Sequence, residues 1–147
     1  MREIKFRGKR VDYCKWVYGF YYQYKMESGK IINYITTDKR DTHQIIEETI
    51  CQFTGLKDKN CAEIYEGDII QSKIHESAIY VIIWNEKNCC FSGFDKYQYR
   101  SMIIDELYRM NSLFNKENIK PRWLNDYQFE IIGNIFDNPE LLTIKIE

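Results

Sequence analysis

Metal binding and nucleophilic catalysis make the sharpest demands on residue spacing, and the cysteines and histidines of this chain meet none of them. Cys14, Cys51, Cys61, Cys89 and Cys90 contain no Cys-x-x-Cys pair, and His43 and His75 are the only histidines. Adjacent Cys89 and Cys90 would point to opposite faces of a strand, where they cannot close on one ion. A cysteine nucleophile needs a base beside it, and nothing in the spacing brings a histidine to a thiol. Neither a metal nor an organic cofactor is expected.

Glu66 and Asp68 stand two apart, as paired acid and base groups do in hydrolases. Glu66-Gly67-Asp68 also has the composition of a turn, with Gly free to take positive φ and Asp able to accept a local backbone hydrogen bond. The turn is the preferred reading. Tyr65, Glu66 and Asp68 are kept as ligand or interface candidates. Gly-x-Gly-x-x-Gly, Gly-Lys-Ser/Thr and Gly-x-Ser-x-Gly are all absent, so no phosphate cradle or nucleophile elbow is predicted. The expectation is a protein that is not an enzyme.

Trp16, Tyr18, Phe20, Tyr21, Tyr22 and Tyr24 form the densest aromatic cluster, close to the basic opening that carries Arg2, Lys5, Arg7, Lys9 and Arg10 against Glu3. Such a cluster is core on one face and an interface on the other, with a base-stacking platform as the rival reading. Arg7, Trp16, Tyr18 and Tyr22 are the binding candidates here. The formal charge is −1, and residues 38–68 hold eight acids against four bases. That balance disfavours nucleic acid as the partner, because phosphate binding relies on a basic surface that displaces counterions.

These residues must be positioned by a chain of 147 residues, the common size of one domain, and residues 1–147 are read as a single domain. Twelve Tyr, eight Phe and three Trp against two Pro favour strands, since aromatic side chains suit a pleated, half-buried surface. No apolar run nears the ~18 residues of a membrane span and the first twenty residues lack a signal-peptide core. A cytoplasmic protein with free thiols and no membrane partner is expected.

Alternation predicts a strand at the opening, with Ile4 and Phe6 inward, and a hairpin through Asp12-Tyr13-Cys14 to a strand over 15–24. A third strand covers 30–37, and the polar stretch Asp38–Gln44 breaks the pattern. Two loops are expected around the short strand Glu63–Tyr65, then a strand from Asp68 or Ile69 to about Ile74. Residues 78–84 are continuously apolar and should be covered on both faces, with Cys90–Phe94 pairing back. The spacing of Ile103, Leu107, Met110 and Phe114 predicts a helix over Ser101–Phe114. Phe129, Ile131 and Ile135 should share a face of a strand over Tyr127–Ile135, before a capped helical turn at Asn138-Pro139-Glu140 and an alternating end at Leu142, Ile144 and Ile146. The fold class is mainly β, a β-rich α+β arrangement of antiparallel sheets in a small barrel-like or sandwich domain with one helix packed on it.

Three stretches together resemble the YopX family of phage and prophage proteins: MREIKFRGKRV with WVYGFY, the central QFTGLKDKNCAEIYEGDII, and the closing IIGNIFDNPELL. The resemblance implies a mainly antiparallel β fold encoded by a temperate phage or prophage, in the host cytosol, with homo-oligomeric assembly. It implies no established activity and carries over no catalytic residue. The leading functional expectation is a non-enzymatic accessory protein that binds as a homo-oligomer, or binds a phage or host protein. The rivals are a small-ligand or nucleotide-binding module, an enzyme with an unfamiliar site gathering Glu66, Asp68 or a His–Cys pair, and a nucleic-acid binder using the basic opening. Cys61 and Cys51 stand where the family pattern usually has Gly. If position 61 needs positive φ, Asn60 is expected to relieve it by taking the left-handed conformation itself.

Overall fold

The computed structural model describes residues 3–72, 78–86, 88–100 and 129–143. Two compact units make up the chain, Met1–Leu56 and Lys57–Glu147. The fold is mainly β, as the composition predicts, and among the described residues it consists of antiparallel sheets whose strand orders stay open rather than closing into a barrel.

The first unit is built on β1 (Phe6–Lys9), β2 (Trp16–Lys25), β3 (Ile31–Thr36), β4 (Thr42–Gln44) and β5 (Cys51–Lys57), in the spatial order β4-β3-β2-β1-β5. The β1–β2 hairpin turns where the sequence predicts. Asp12 Oδ1 accepts the Tyr13 N–H at 2.9 Å, the Cys14 N–H donates to the Arg10 carbonyl at 3.0 Å, and Cys14 takes φ +54°. Register then sorts the side chains. Phe6, Gly8, Val17, Tyr21, Asn33 and Ile35 share one face, and Ile35 and Ile45 are buried behind it. Tyr21 donates its hydroxyl to Asn33 Oδ1 at 2.7 Å, which gives the oxygen of this buried amide a partner in the apolar face. Ile4 departs from expectation: it precedes β1 and lies 60% exposed, so Phe6 alone of the pair faces inward.

Two strands in this unit escape the alternation rule. β4 lies inside the polar stretch read as a break, because the Thr37 N–H bonds the Asp41 carbonyl at 2.9 Å and folds the chain back so that Thr42–Gln44 pairs with Thr36–Tyr34. β5 occupies a segment in which no strand was expected. It is held by pairing to β1 at Phe6↔Gln52 and Arg7↔Cys51, a long-range ladder that outweighs the weak local preference of Gln-Phe-Thr-Gly.

The second unit comprises β6 (Glu63–Tyr65), β7 (Asp68–Ser72), β8 (Ile79–Asn85), β9 (Cys90–Asp95) and β10 (Phe129–Asn134), with the sheet order β10-β7-β8-β9. Tyr80, Val81 and Ile82 are consecutively buried, which is the two-sided coverage predicted for the apolar run, whereas Trp84 near its end is exposed. Ile64, Tyr65, Ile69, Ile70, Phe94 and Phe129 complete this core. A helical segment at residues 96–100 begins where Asp95 Oδ1 accepts the Tyr97 and Gln98 N–H groups, both at 2.9 Å. The helix predicted over 101–114, the strand continuation past Ser72 and the alternation at Ile144 and Ile146 lie outside the described residues.

β10 departs from simple alternation. Its register slips between Ile131 and Gly133, so Asn134 opposes Asp68 on the face of Phe129 and Ile131, and Ile135 falls in the turn beyond the strand. That turn is organised by Asn134, whose Oδ1 accepts the Phe136 and Asp137 N–H groups at 3.0 and 2.9 Å. The helical turn that follows is a 3-10 turn, Pro139–Leu142, with Pro near its start as predicted, but Asn138 makes no side-chain cap bond.

Candidate functional site

The candidate surface is the face of β1, β2 and β3 opposite the first unit's core. Alternation from the register places Arg7 and Lys9 of β1, Trp16, Tyr18, Phe20, Tyr22 and Tyr24 of β2, and Ile32, Tyr34 and Thr36 of β3 on it together. No acidic residue occupies any of these positions. Three of the four residues singled out in β1 and β2 for binding are thus neighbours along one strand, with Arg7 directly across from Tyr18.

The surface has two parts. At its base the Arg7 guanidinium lies 4.7 Å from the Trp16 ring centroid and the Lys9 ammonium 5.4 Å from the same ring, within cation–π range. Arg7 is only 7% exposed, so it supports the ring from beneath and is not an open cation. Farther along β2 the side chains come into solvent. Tyr18, Phe20, Tyr22 and Tyr24 are 44%, 63%, 44% and 57% exposed. Tyr22 stacks on Tyr34 across the β2–β3 pair, centroids 5.5 Å apart at 20°, which limits the freedom of both rings. Arrangement and chemistry suit contact with another aromatic or apolar surface.

A shallow groove of about 310 Å3 lies elsewhere on the first unit, lined by Arg10, Val11, Asp12, Thr42, His43 and Gln44. Its charges are already matched. Arg10 grips the Asp12 carboxylate through both Nε and Nη2, and that hydrogen bond chiefly holds Asp12 below the usual carboxylate range while raising Arg10.

Tyr65, Glu66 and Asp68 belong to the second unit and are tied into its turn. Tyr65 and Asp68 are each 1% exposed. Asp68 Oδ2 accepts the Tyr65 N–H at 2.7 Å, the Tyr65 hydroxyl donates to Glu63 at 2.6 Å, and Glu66 accepts the Trp84 N–H at 3.2 Å. Gly67 between them takes φ +78°, its N–H bonds the Ile82 carbonyl at 2.8 Å, and its carbonyl accepts the Ile135 N–H at 2.9 Å. Asp68 closes the turn locally on Tyr65, which is turn chemistry, and Glu66 ties the turn to β8 at Trp84.

The residue that sequence reasoning missed is Asp58. It is buried, and its carboxylate accepts N–H groups from Asn60, Ala62 and Ile131, the last 73 positions away. Asp-Lys-Asn carries the local signal of an Asx turn, but nothing local reveals the bond to β10. In the same turn Cys61 itself takes φ +64°, so Asn60 does not relieve it. Among the described residues no three His, Cys, Asp or Glu side chains gather as a metal site, and Cys14, Cys51, Cys61, Cys89 and Cys90 are free thiols. No helix among the described residues is long and apolar enough to cross a membrane.

Comparison with known proteins bears on the fold and on the three sequence stretches. No curated protein matches the chain. The crystal structure of protein EF1440 from Enterococcus faecalis is similar, with a TM-score of 0.50 and 25% identity over 97% of this chain and 100% of that one. The family model described as YopX protein matches residues 5–143, a span that takes in both units from β1 to the turn after β10. On that coverage the chain belongs to the YopX family.

Proposed function

We propose that this chain is a non-enzymatic accessory protein of a phage or prophage that acts in the cytoplasm by binding, as a homo-oligomer. The observation that carries the reading is the row of Tyr18, Phe20, Tyr22 and Tyr24, four consecutive same-facing aromatics left in solvent on one strand. Soluble monomers seldom expose such a contiguous patch, and Tyr and Phe are enriched where subunits meet. The row is uncharged, and Arg7, directly across from Tyr18, is covered. Both features favour a protein surface over a nucleic-acid strand, whose binding depends on accessible cations.

Light scattering coupled to size exclusion at micromolar concentration tests the reading. A discrete mass above the 17.9 kDa of one chain, falling on Tyr18→Glu or Tyr22→Glu, is the expected result. A mass of one chain across the concentration range overturns it. Affinity capture from phage-induced cells, with proteins and small molecules both identified by mass spectrometry, then finds any further partner.

A further inference from the structure

The β2–β3 hairpin outruns the sheet that carries it. β1 accompanies β2 only as far as Phe6↔Gly19, and β4 accompanies β3 only as far as Tyr34↔Gln44. The Ile45 N–H still bonds the Asn33 carbonyl at 2.9 Å, but beyond that point Tyr24↔Ile32 and Lys25↔Ile31 pair with each other, and among the described residues no other strand flanks them. Every residue from Tyr22 to Ile31 is exposed. At about 3.3 Å per residue the turn at 26–30 stands roughly 10–15 Å past the last shared pair. A lone two-stranded ribbon is marginal in water. This one nevertheless carries Tyr22, Tyr24, Met26 and Ile31 in solvent.

We infer that residues 22–32 form an arm that docks on a second copy of this chain, extending the contact made by Tyr18 and Phe20. The inference rests on the homo-oligomeric reading and adds the segment responsible. Area supports a protein of this kind as the occupant. Aromatic side chains bury on the order of 150–250 Å2 each, and Tyr18, Phe20, Tyr22, Tyr24 and Met26 are 41–63% exposed. Together they offer about 500 Å2 per copy, so two copies bury about 1,000 Å2, the threshold of a specific interface. Charge points the same way. The row is neutral, so two copies meet without like-charge repulsion, and the arm's Lys25, Glu27 and Lys30 leave too little positive charge to hold a phosphate backbone.

The test replaces residues 24–32 with Asn-Gly, which closes Gln23 and Asn33 as a two-residue hairpin and retains the buried Asn33. Tyr24→Glu, at an exposed position that folding does not require, is measured beside it. Sedimentation of the full chain and both variants, over a hundredfold range of concentration, is the readout. Association at least tenfold weaker in both variants, with circular dichroism and melting unchanged in Tyr24→Glu, is expected. An unchanged assembly in Tyr24→Glu overturns the arm while leaving the oligomeric reading intact. A monomeric parent overturns that reading and the arm with it, and so does a parent that stays monomeric yet binds a single-stranded oligonucleotide through Tyr24.

Discussion

Replacing Asp58 with Asn asks how much one buried carboxylate contributes to joining two distant parts of the second unit. Its Oδ1 accepts the Asn60 N–H at 2.8 Å and the Ala62 N–H at 2.9 Å, and its Oδ2 accepts the Ile131 N–H at 3.2 Å. All three donors are backbone groups, so an amide in the same place must turn its Nδ2 hydrogens toward at least one of them. If the amide oxygen stays on the turn, the Ile131 N–H loses its acceptor and faces another donor. Hydrogen bonds to a charged acceptor are worth about 1.5–3 kcal/mol and neutral ones about 0.5–1.5 kcal/mol. Losing one and weakening two therefore costs about 3 kcal/mol. For a chain of this size that lowers the melting temperature by roughly 6–12 °C. Lys59 keeps part of the connection, through its N–H to the Phe129 carbonyl at 3.1 Å and its ion pair with Glu130, so the unit should remain folded. Calorimetry gives the global shift and amide exchange gives its place: Ile131 should lose protection while Ile70 and Ile82 keep theirs. A melting change below about 2 °C, with Ile131 protection intact, would refute the reasoning.

The same turn predicts a gain from Cys61→Gly. A side chain at φ +64° costs about 1–2 kcal/mol, and the greater unfolded-state freedom of Gly returns about 0.4–1 kcal/mol, so a net stabilisation of about 0.5–1 kcal/mol is expected in urea unfolding; destabilisation would contradict it. Gly19→Ala should act in the opposite direction, because its Cβ would lie 2.1 Å from the Thr36 carbonyl oxygen and force β2 from β3. A loss of about 2–4 kcal/mol is expected from overpacking and backbone strain, and a loss under about 0.5 kcal/mol, the scale of an ordinary surface change, would show that the strands yield easily. Asp12 should titrate below the ordinary carboxylate value of about 3.9, since its folded pKa is depressed, first by the hydrogen bond from Arg10. The stabilisation it contributes is thus present above the unfolded value and lost as pH falls through the folded one. Carboxyl NMR of the parent and Arg10→Gln checks this, with the Asp12 midpoint expected to rise in the variant.

Much of this protein is local in origin, and there the sequence was sufficient. The alternation of Trp16 to Tyr24 and of Ile31 to Thr36 needs only the two-residue period of a strand to place its side chains on opposite faces. The turn at Glu66-Gly67-Asp68 forms because Gly67 accepts φ +78° and the Asp68 carboxylate bonds the Tyr65 N–H three residues back. Tyr80-Val81-Ile82 is buried at the middle of a continuously apolar run, as its composition predicts, although Trp84 near the end of that run is exposed. Long-range pairing decided the rest. β4 and β5 have little local preference and exist because β3 and β1 supply the opposite half of each ladder. The extra residue in β10 and the Asp58 bond to Ile131 each join positions some sixty or more residues apart, beyond the reach of any local period. At the candidate surface the division runs through a single cluster. The aromatic row could be read from its spacing, but the burial of Arg7 under Trp16 could not, because fractional exposure depends on what the whole fold lays over a side chain and not on the residue's own charge.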